Sequence, residues 1–230
     1  MKKKAEIQPQ LHWQEEQETL TLTGEPVVEL SLCLPQLESG GRGGARINQY
    51  YGQVKKKVCT RWRRDLYFMA CLDLVEKRDA SRPFHPWQVA LKGEGALLEG
   101  GLLSIRIECQ EIRADRRALK SCDCTLWRIR EGAPVSFKEW TKKSVPRRVL
   151  TAATREGLTA LQKGGVFLHG DWETTFSRWM LLRRFYLTDE GLALFFPQCT
   201  IAPSVEGIIT VPVSNLLPEK TERKSEEKLA

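Results

Sequence analysis

The stretch that most constrains the fold lies near the C-terminal end. Two apolar, aromatic runs, Phe185-Tyr186-Leu187-Thr188 and Gly191 through Phe196, flank Asp189-Glu190. Aromatic and aliphatic runs on either side of a short Thr-Asp-Glu-Gly turn predict a tight β-hairpin. A loop punctuated by Pro197 and Pro203 follows, and then the β-branched run Val205 to Val213. Nothing in this stretch is a catalytic constellation. The rest of the chain reads as a small scaffold that holds this sheet.

Upstream, the chain alternates between the periods of strand and helix. Residues 1–24 are polar, with a short edge strand predicted over 19–23. Val28, Leu30, Leu32 and Leu34 share one face of a half-buried strand over 27–34. Gly40-Gly41-Arg42-Gly43-Gly44 lacks the Gly-Lys-Ser/Thr ending of a phosphate loop and the spacing of a dinucleotide fingerprint, so it reads as a flexible turn before a helix. That helix is predicted over 45–77, with Ile47, Tyr51, Val54, Val58, Trp62, Leu66, Met69 and Leu72 as its apolar stripe. Strands are predicted from Trp87 through Gly93 and Gly95, over 102–113 and over 116–130. Ser136 with Glu139 has capping-box spacing for a short helix. A further helix over 145–163 carries a stripe interrupted by Gly157, and Asp171 is placed as the N-cap of a segment running to Arg184 with Trp179 and Met180 inward.

The architecture predicted is α+β: antiparallel sheet packed against one long helix and two or three shorter ones. Its expected division is a polar segment 1–24, a subdomain 25–114 with the long helix, a subdomain 115–215 and a disordered charged tail 216–230. A chain of 230 residues is long enough for one sizeable core or two small ones. Met1-Lys2-Lys3-Lys4 begins like a signal peptide, but Ala5 to Gln10 has no apolar core, and no run approaches a membrane span. A cytoplasmic location is the expectation. Seven cysteines, an odd number at irregular spacing, agree with a reducing compartment.

The chemistry-bearing residues are sparse. Cys122-Asp123-Cys124 is one residue short of a Cys-x-x-Cys knuckle and has no second pair, so no metal and no cofactor are expected. His169, Asp171 and Ser177 lack a nucleophile elbow, and Cys199 has no basic neighbour in sequence. No catalytic residue is assigned. The excess of 36 basic over 29 acidic residues gives a net charge of +7. Lys55, Lys56, Lys57, Arg61, Arg63, Arg64, Arg116 and Arg117 are the candidates for binding nucleic acid or another polyanion, with Arg147 and Arg148 beside them. This is the second reading, because acidic residues dilute the basic helix face.

The first reading comes from a resemblance. Phe185-Tyr186-Leu187-Thr188, Gly191-Leu192, Phe195-Phe196, Ile201-Ala202-Pro203 and Gly207 resemble the C-terminal signature of a bacterial domain family of unknown function. That family includes the extracellular region of the lysozyme-sensing anti-sigma factor RsiV and the domain beside the deacetylase in PdaC. Trp127 to Trp140 is similar to the family's strand, turn and short helix. The family's Gly-Gly-Ala-His-Gly segment is not found near Arg113–Arg117, and Cys199 or its neighbour stands where the family carries tyrosine. The resemblance implies a non-catalytic binding or sensing domain with an unknown protein partner. Tyr186, Phe195, Phe196, Pro197, Ile201, Pro203 and Val205 are its candidate recognition residues.

Overall fold

The computed structural model describes residues 9–141, 146–180, 184–188 and 191–213. The expectations for the Lys-rich start, the first residue of the 145–163 helix, the Asp189-Glu190 turn residues and the 216–230 tail lie outside the described residues. Within them the protein is α+β, with a six-stranded sheet, a three-stranded sheet and one long helix.

Strands β1 (Gln10–Leu22), β2 (Glu25–Glu38), β3 (Trp87–Leu98), β4 (Leu102–Ile112), β5 (Ala118–Arg128) and the two-residue β6 (Ala133–Pro134) form the large sheet in that order. All neighbours are antiparallel except β2 and β3, which run parallel. A parallel pair needs a long crossover, and the long helix supplies it. The helix comprises α1 (Gly41–Arg61), one π-helical turn (Trp62–Leu66) and α2 (Tyr67–Asp79). The polar stretch before residue 24, expected to be strand only over 19–23, is strand throughout β1. Its carboxylates are not simply solvated: Glu16 pairs with Lys55 and Glu18 with Arg63 of the helix.

The helix covers one face of the sheet. Val28, Leu30, Leu32, Val89, Leu91, Leu103, Ile105 and Ile107 meet Ile47, Tyr51, Trp62, Leu66, Ala70 and Leu74 in the first core. Burial along the last four helix positions steps by four residues. A 3.6-residue helix rotates out of such a repeat, and the wider π turn absorbs the extra residue. The stripe read from sequence continued instead through Met69 and Leu72. Both are about half exposed, and Ala70 and Leu74 take the inward positions.

The glycine cluster is the helix's first turn rather than a turn preceding it. Gly43 lies against the main chain of Ile129 and Arg130, and the Arg46 guanidinium donates to the Glu131 carbonyl at 3.0 Å.

The second core belongs to the C-terminal third. Strands β7 (Phe185–Thr188), β8 (Gly191–Phe196) and β9 (Ile209–Pro212) make the small antiparallel sheet, with Thr188 opposite Gly191. The hairpin thus has the two-residue connection that the sequence predicts. The β-branched run forms strand only from Ile209, and Val205 sits in a 3₁₀ turn. Helices α3 (Phe137–Thr141), α4 (Arg147–Lys163) and α5 (Trp172–Trp179) pack around this sheet. Ser136 Oγ accepts from the Glu139 amide at 3.2 Å, the capping bond the sequence signals. Asp171 does precede α5 but makes no side-chain cap, and α5 ends at Trp179, which is 42% exposed rather than inward. Gly157 interrupts the α4 stripe because Val211 packs there: a Cβ would lie 2.4 Å from its Cγ1.

Strand β7 crosses the sheet face opposite the long helix. The Leu187 amide donates to Ser104 Oγ at 2.9 Å, and Tyr186 lies over the Arg106 guanidinium. Residue 114, the expected limit of the first subdomain, falls between β4 and β5 of one continuous sheet. Among the described residues no helix is long and apolar enough to cross a membrane.

Candidate functional site

The phase shift at the π turn has a consequence on the outer side of the helix. Phe68, Met69, Leu72 and Val75 are 60%, 53%, 51% and 45% exposed. Spacings of four and three residues put Phe68, Leu72 and Val75 on one face of α2, opposite Ala70 and Leu74, with Met69 at its margin. Asp65, Glu76 and Asp79 fall on the same side by that periodicity, and all three are exposed. Single exposed apolar residues are ordinary, but a contiguous row on one helix face marks a contact surface. Sequence reasoning placed Met69 and Leu72 in the core and passed over Phe68 and Val75.

The predicted basic residues are largely committed to partners. Lys55 binds Glu16, Arg63 binds Glu18, Arg64 binds its neighbour Asp65, and Arg61 makes a two-pronged contact with Glu111 at 2.7 and 3.1 Å. Arg116 donates to the Pro86 carbonyl, and Arg117 lies in the exposed β4–β5 turn. Lys56, Lys57, Arg147 and Arg148 are exposed but lie on separate helices. Lys55, Lys56, Lys57, Arg61, Arg63 and Arg64 share one stretch of the long helix, and four of the six are paired with carboxylates.

The recognition candidates from the hairpin divide sharply. Phe196 and Ile201 are fully enclosed and Phe195 nearly so. Tyr186, Pro197 and Pro203 are half-buried. Val205 alone stands out, 87% exposed. The loop is tied down by Gln198, whose side-chain amide donates to the Ala118 carbonyl at 2.8 Å and accepts from the Lys120 amide at 2.7 Å. One side chain thereby stands in for a neighbouring strand on β5. His169 contributes its main chain, donating to the Ile201 carbonyl at 3.0 Å.

Between β5 and Gln198 runs a polar groove of about 730 Å³, lined by Arg61, Glu111, Lys120, Cys122 and Cys124 among others. At one end the buried Glu111 carboxylate accepts from Arg61, from Arg113 at 2.6 Å and from the Trp62 indole at 2.9 Å. Burial alone raises a carboxylic pKa, but these donors outweigh it and hold Glu111 below its ordinary value near 4.5. A depressed pKa contributes stability above the unfolded value, and that stability is lost as pH falls through the folded value. Glu111→Gln is therefore expected to flatten the acid limb of the stability curve below about pH 4.5. Urea midpoints measured between pH 3 and 7 check this, and an acid limb as steep as the parent's would refute it.

Behind the cysteines that line the groove, Arg106 binds Glu94 at 2.6 Å and Glu108 at 2.9 Å, and points its Nε–H at Cys122 Sγ, 3.2 Å away. Cys122 and Cys124 lie on one face of β5 with their sulfurs 3.7 Å apart. The hydrogen bond with Cys124 and the Arg106 charge draw the Cys122 thiol below its ordinary pKa, while burial pushes Cys124 up. Burial likewise pushes Cys109, on the opposite face, up to about 11. Among the described residues no group of three or more His, Cys, Asp or Glu could hold a metal ion.

Residues 160–215 match the family model described as a protein of unknown function, DUF3298. The match spans the end of α4, all of α5 and the three-stranded sheet, and contains the Phe185–Gly207 signature. A crystal structure of a DUF3298 family member from Bacteroides fragilis is similar in fold, with a TM-score of 0.63, 16% identity and 90% of each chain covered. A DUF3298 family protein from Pseudomonas aeruginosa is also similar, with a TM-score of 0.54, 11% identity and 90% of each chain covered. Identities this low speak to the fold alone. No curated protein matches the sequence.

Proposed function

We propose that this chain is a non-catalytic protein-recognition domain whose contact surface is the outer face of α2. The observation that carries the reading is the exposed row Phe68, Leu72 and Val75 with Met69 beside it. An amphipathic helix whose second apolar stripe faces outward fits the groove of a partner. Of the acidic side chains on that side, Asp65 is taken by Arg64 and Glu76 lies 4.0 Å from Arg82, which leaves Asp79 to face a basic partner. The resemblance of the Phe185–Gly207 segment to the RsiV region supports a protein ligand and makes lysozyme, a basic protein, the first probe. On this reading the hairpin loop positions the fold, with Val205 as its exposed tip, and the buried aromatics contribute no contact.

The test measures binding of lysozyme, then of a displayed library of basic amphipathic peptides, to the full chain and to Leu72→Glu and Phe68→Glu. Each substitution is expected to weaken binding at least thirtyfold, the size of an interface hot spot of about 2 kcal/mol. Exposed sites tolerate such changes within about 0.5 kcal/mol of stability, so the urea midpoint should stay near the parent's. Binding that survives both substitutions, or failure of both probes to bind the parent, overturns the reading.

A further inference from the structure

The Cys122–Cys124 pair is independent of the α2 surface and lies on the other side of the large sheet. Its geometry is specific. Two residues along a strand rise by about 6.6 Å, so the Cβ atoms of this pair are too far apart for a disulfide, which wants them about 4 Å apart. Yet the two sulfurs lean together to 3.7 Å. That spacing suits sulfurs joined through an intervening atom. With metal–sulfur bonds of about 2.3 Å, sulfurs 3.7 Å apart subtend roughly 107° at the metal, and opening to a linear arrangement spreads them to about 4.6 Å. Rotation about the two Cα–Cβ bonds supplies that spread without moving the strand.

We propose that Cys122 and Cys124 form a two-thiolate site for a soft monovalent d¹⁰ cation of the Cu(I) class. Three observations select this occupant. Thiolate donors favour soft metals. Among the described residues the pair has no third or fourth ligand to complete a metal-holding group, whereas structural zinc takes four. A guanidinium also stands against the thiolate that binding would leave. Binding releases the remaining thiol protons to solvent and leaves a bis-thiolate–cation unit with one negative charge. The Arg106 Nε–H already points at the Cys122 sulfur to receive it. Arg106 is itself held in place by Glu94 and Glu108, and Lys120 sits on Glu108 at 3.3 Å. The site opens onto the groove beside Gln198, which gives the ion a path in.

The experiment offers Cu(I), held by the chromophoric chelator bicinchoninate, to the reduced full chain without oxygen. The chain is expected to withdraw one equivalent, seen as loss of chelator colour. Cys122→Ser and Cys124→Ser should each weaken uptake at least tenfold, within the range for lost metal-site partners. Cys109→Ser and Cys199→Ser should leave it unchanged. X-ray absorption of the loaded parent should show two sulfur scatterers, a readout that does not depend on any variant folding. Uptake that persists in either serine variant at position 122 or 124, three or more sulfurs at the metal, or chelator that keeps its copper against the parent each overturns the proposal.

Discussion

Trp62→Ala is expected to lower the unfolding free energy by about 3–5 kcal/mol, the range for deleting an enclosed tryptophan. Folded domains hold only about 5–15 kcal/mol in total, so the variant should be marginal, with its melting temperature down by roughly 10 °C or more. Trp62 has no exposed surface and lies at the start of the π turn. It does two jobs there. Its ring fills the core between the long helix and the sheet, and its indole N–H donates to Glu111. Trp62→Phe separates them. Phenylalanine keeps most of the ring volume and loses the donor, while Arg61 and Arg113 still hold the carboxylate. Its cost should be about 1–2 kcal/mol. Urea unfolding with unchanged slope checks both values. A loss below about 1 kcal/mol for Trp62→Ala would mean that the helix is not anchored at this residue.

How much of this was legible in the sequence depended on how local the determinant is. The β7–β8 hairpin was legible because its period, aromatic content and two-residue turn lie within a dozen positions. The Ser136 cap was legible for the same reason. The parallel pairing of β2 with β3 was not, because nothing within either strand states the direction of its neighbour. Strand β1 was hidden because Glu16 and Glu18 look solvated until the helix brings Lys55 and Arg63 over them. The π turn was hidden most deeply. From Trp62 a 3.6-residue period leads to Met69 and Leu72, and the π turn shifts the inward positions to Ala70 and Leu74. That shift, which no local pattern announces, chooses the smaller Ala70. The candidate surface on α2 exists because of that choice. The cysteine pair was visible as Cys-x-Cys, but the approach of Arg106 from β4 depends on strand register and could not be read from spacing.

Gly43→Ala is expected to be the most damaging single-methyl change in the long helix, although alanine is ordinarily the better helix former by about 1 kcal/mol. The first turn of α1 is pressed against the chain that leaves β5. A Cβ on Gly43 would lie 1.8 Å from the Ile129 carbonyl oxygen and 2.6 Å from that of Arg130. Both obstacles are main chain, so no side-chain rotation relieves the clash. The chain there is held from several sides. Ile129 donates its amide to Gly101 at 2.9 Å, and Gly132, at a left-handed φ of 60°, closes the turn onto the Arg128 carbonyl at 2.9 Å. Either the helix start lifts off the sheet or the 129–132 turn moves, and the Arg46 contact with Glu131 is lost with it. Overpacking of this kind costs about 1–3 kcal/mol and more where backbone must shift, which outweighs the propensity gain. Gly52 is the matched control: it lies in the same helix, and a Cβ there meets nothing within 4 Å. Gly52→Ala should therefore stabilise the chain by about 0.5–1 kcal/mol. The two alanines, identical in sequence terms, should move the urea midpoint in opposite directions. Midpoints that move together would show that α1 does not dock through Gly43.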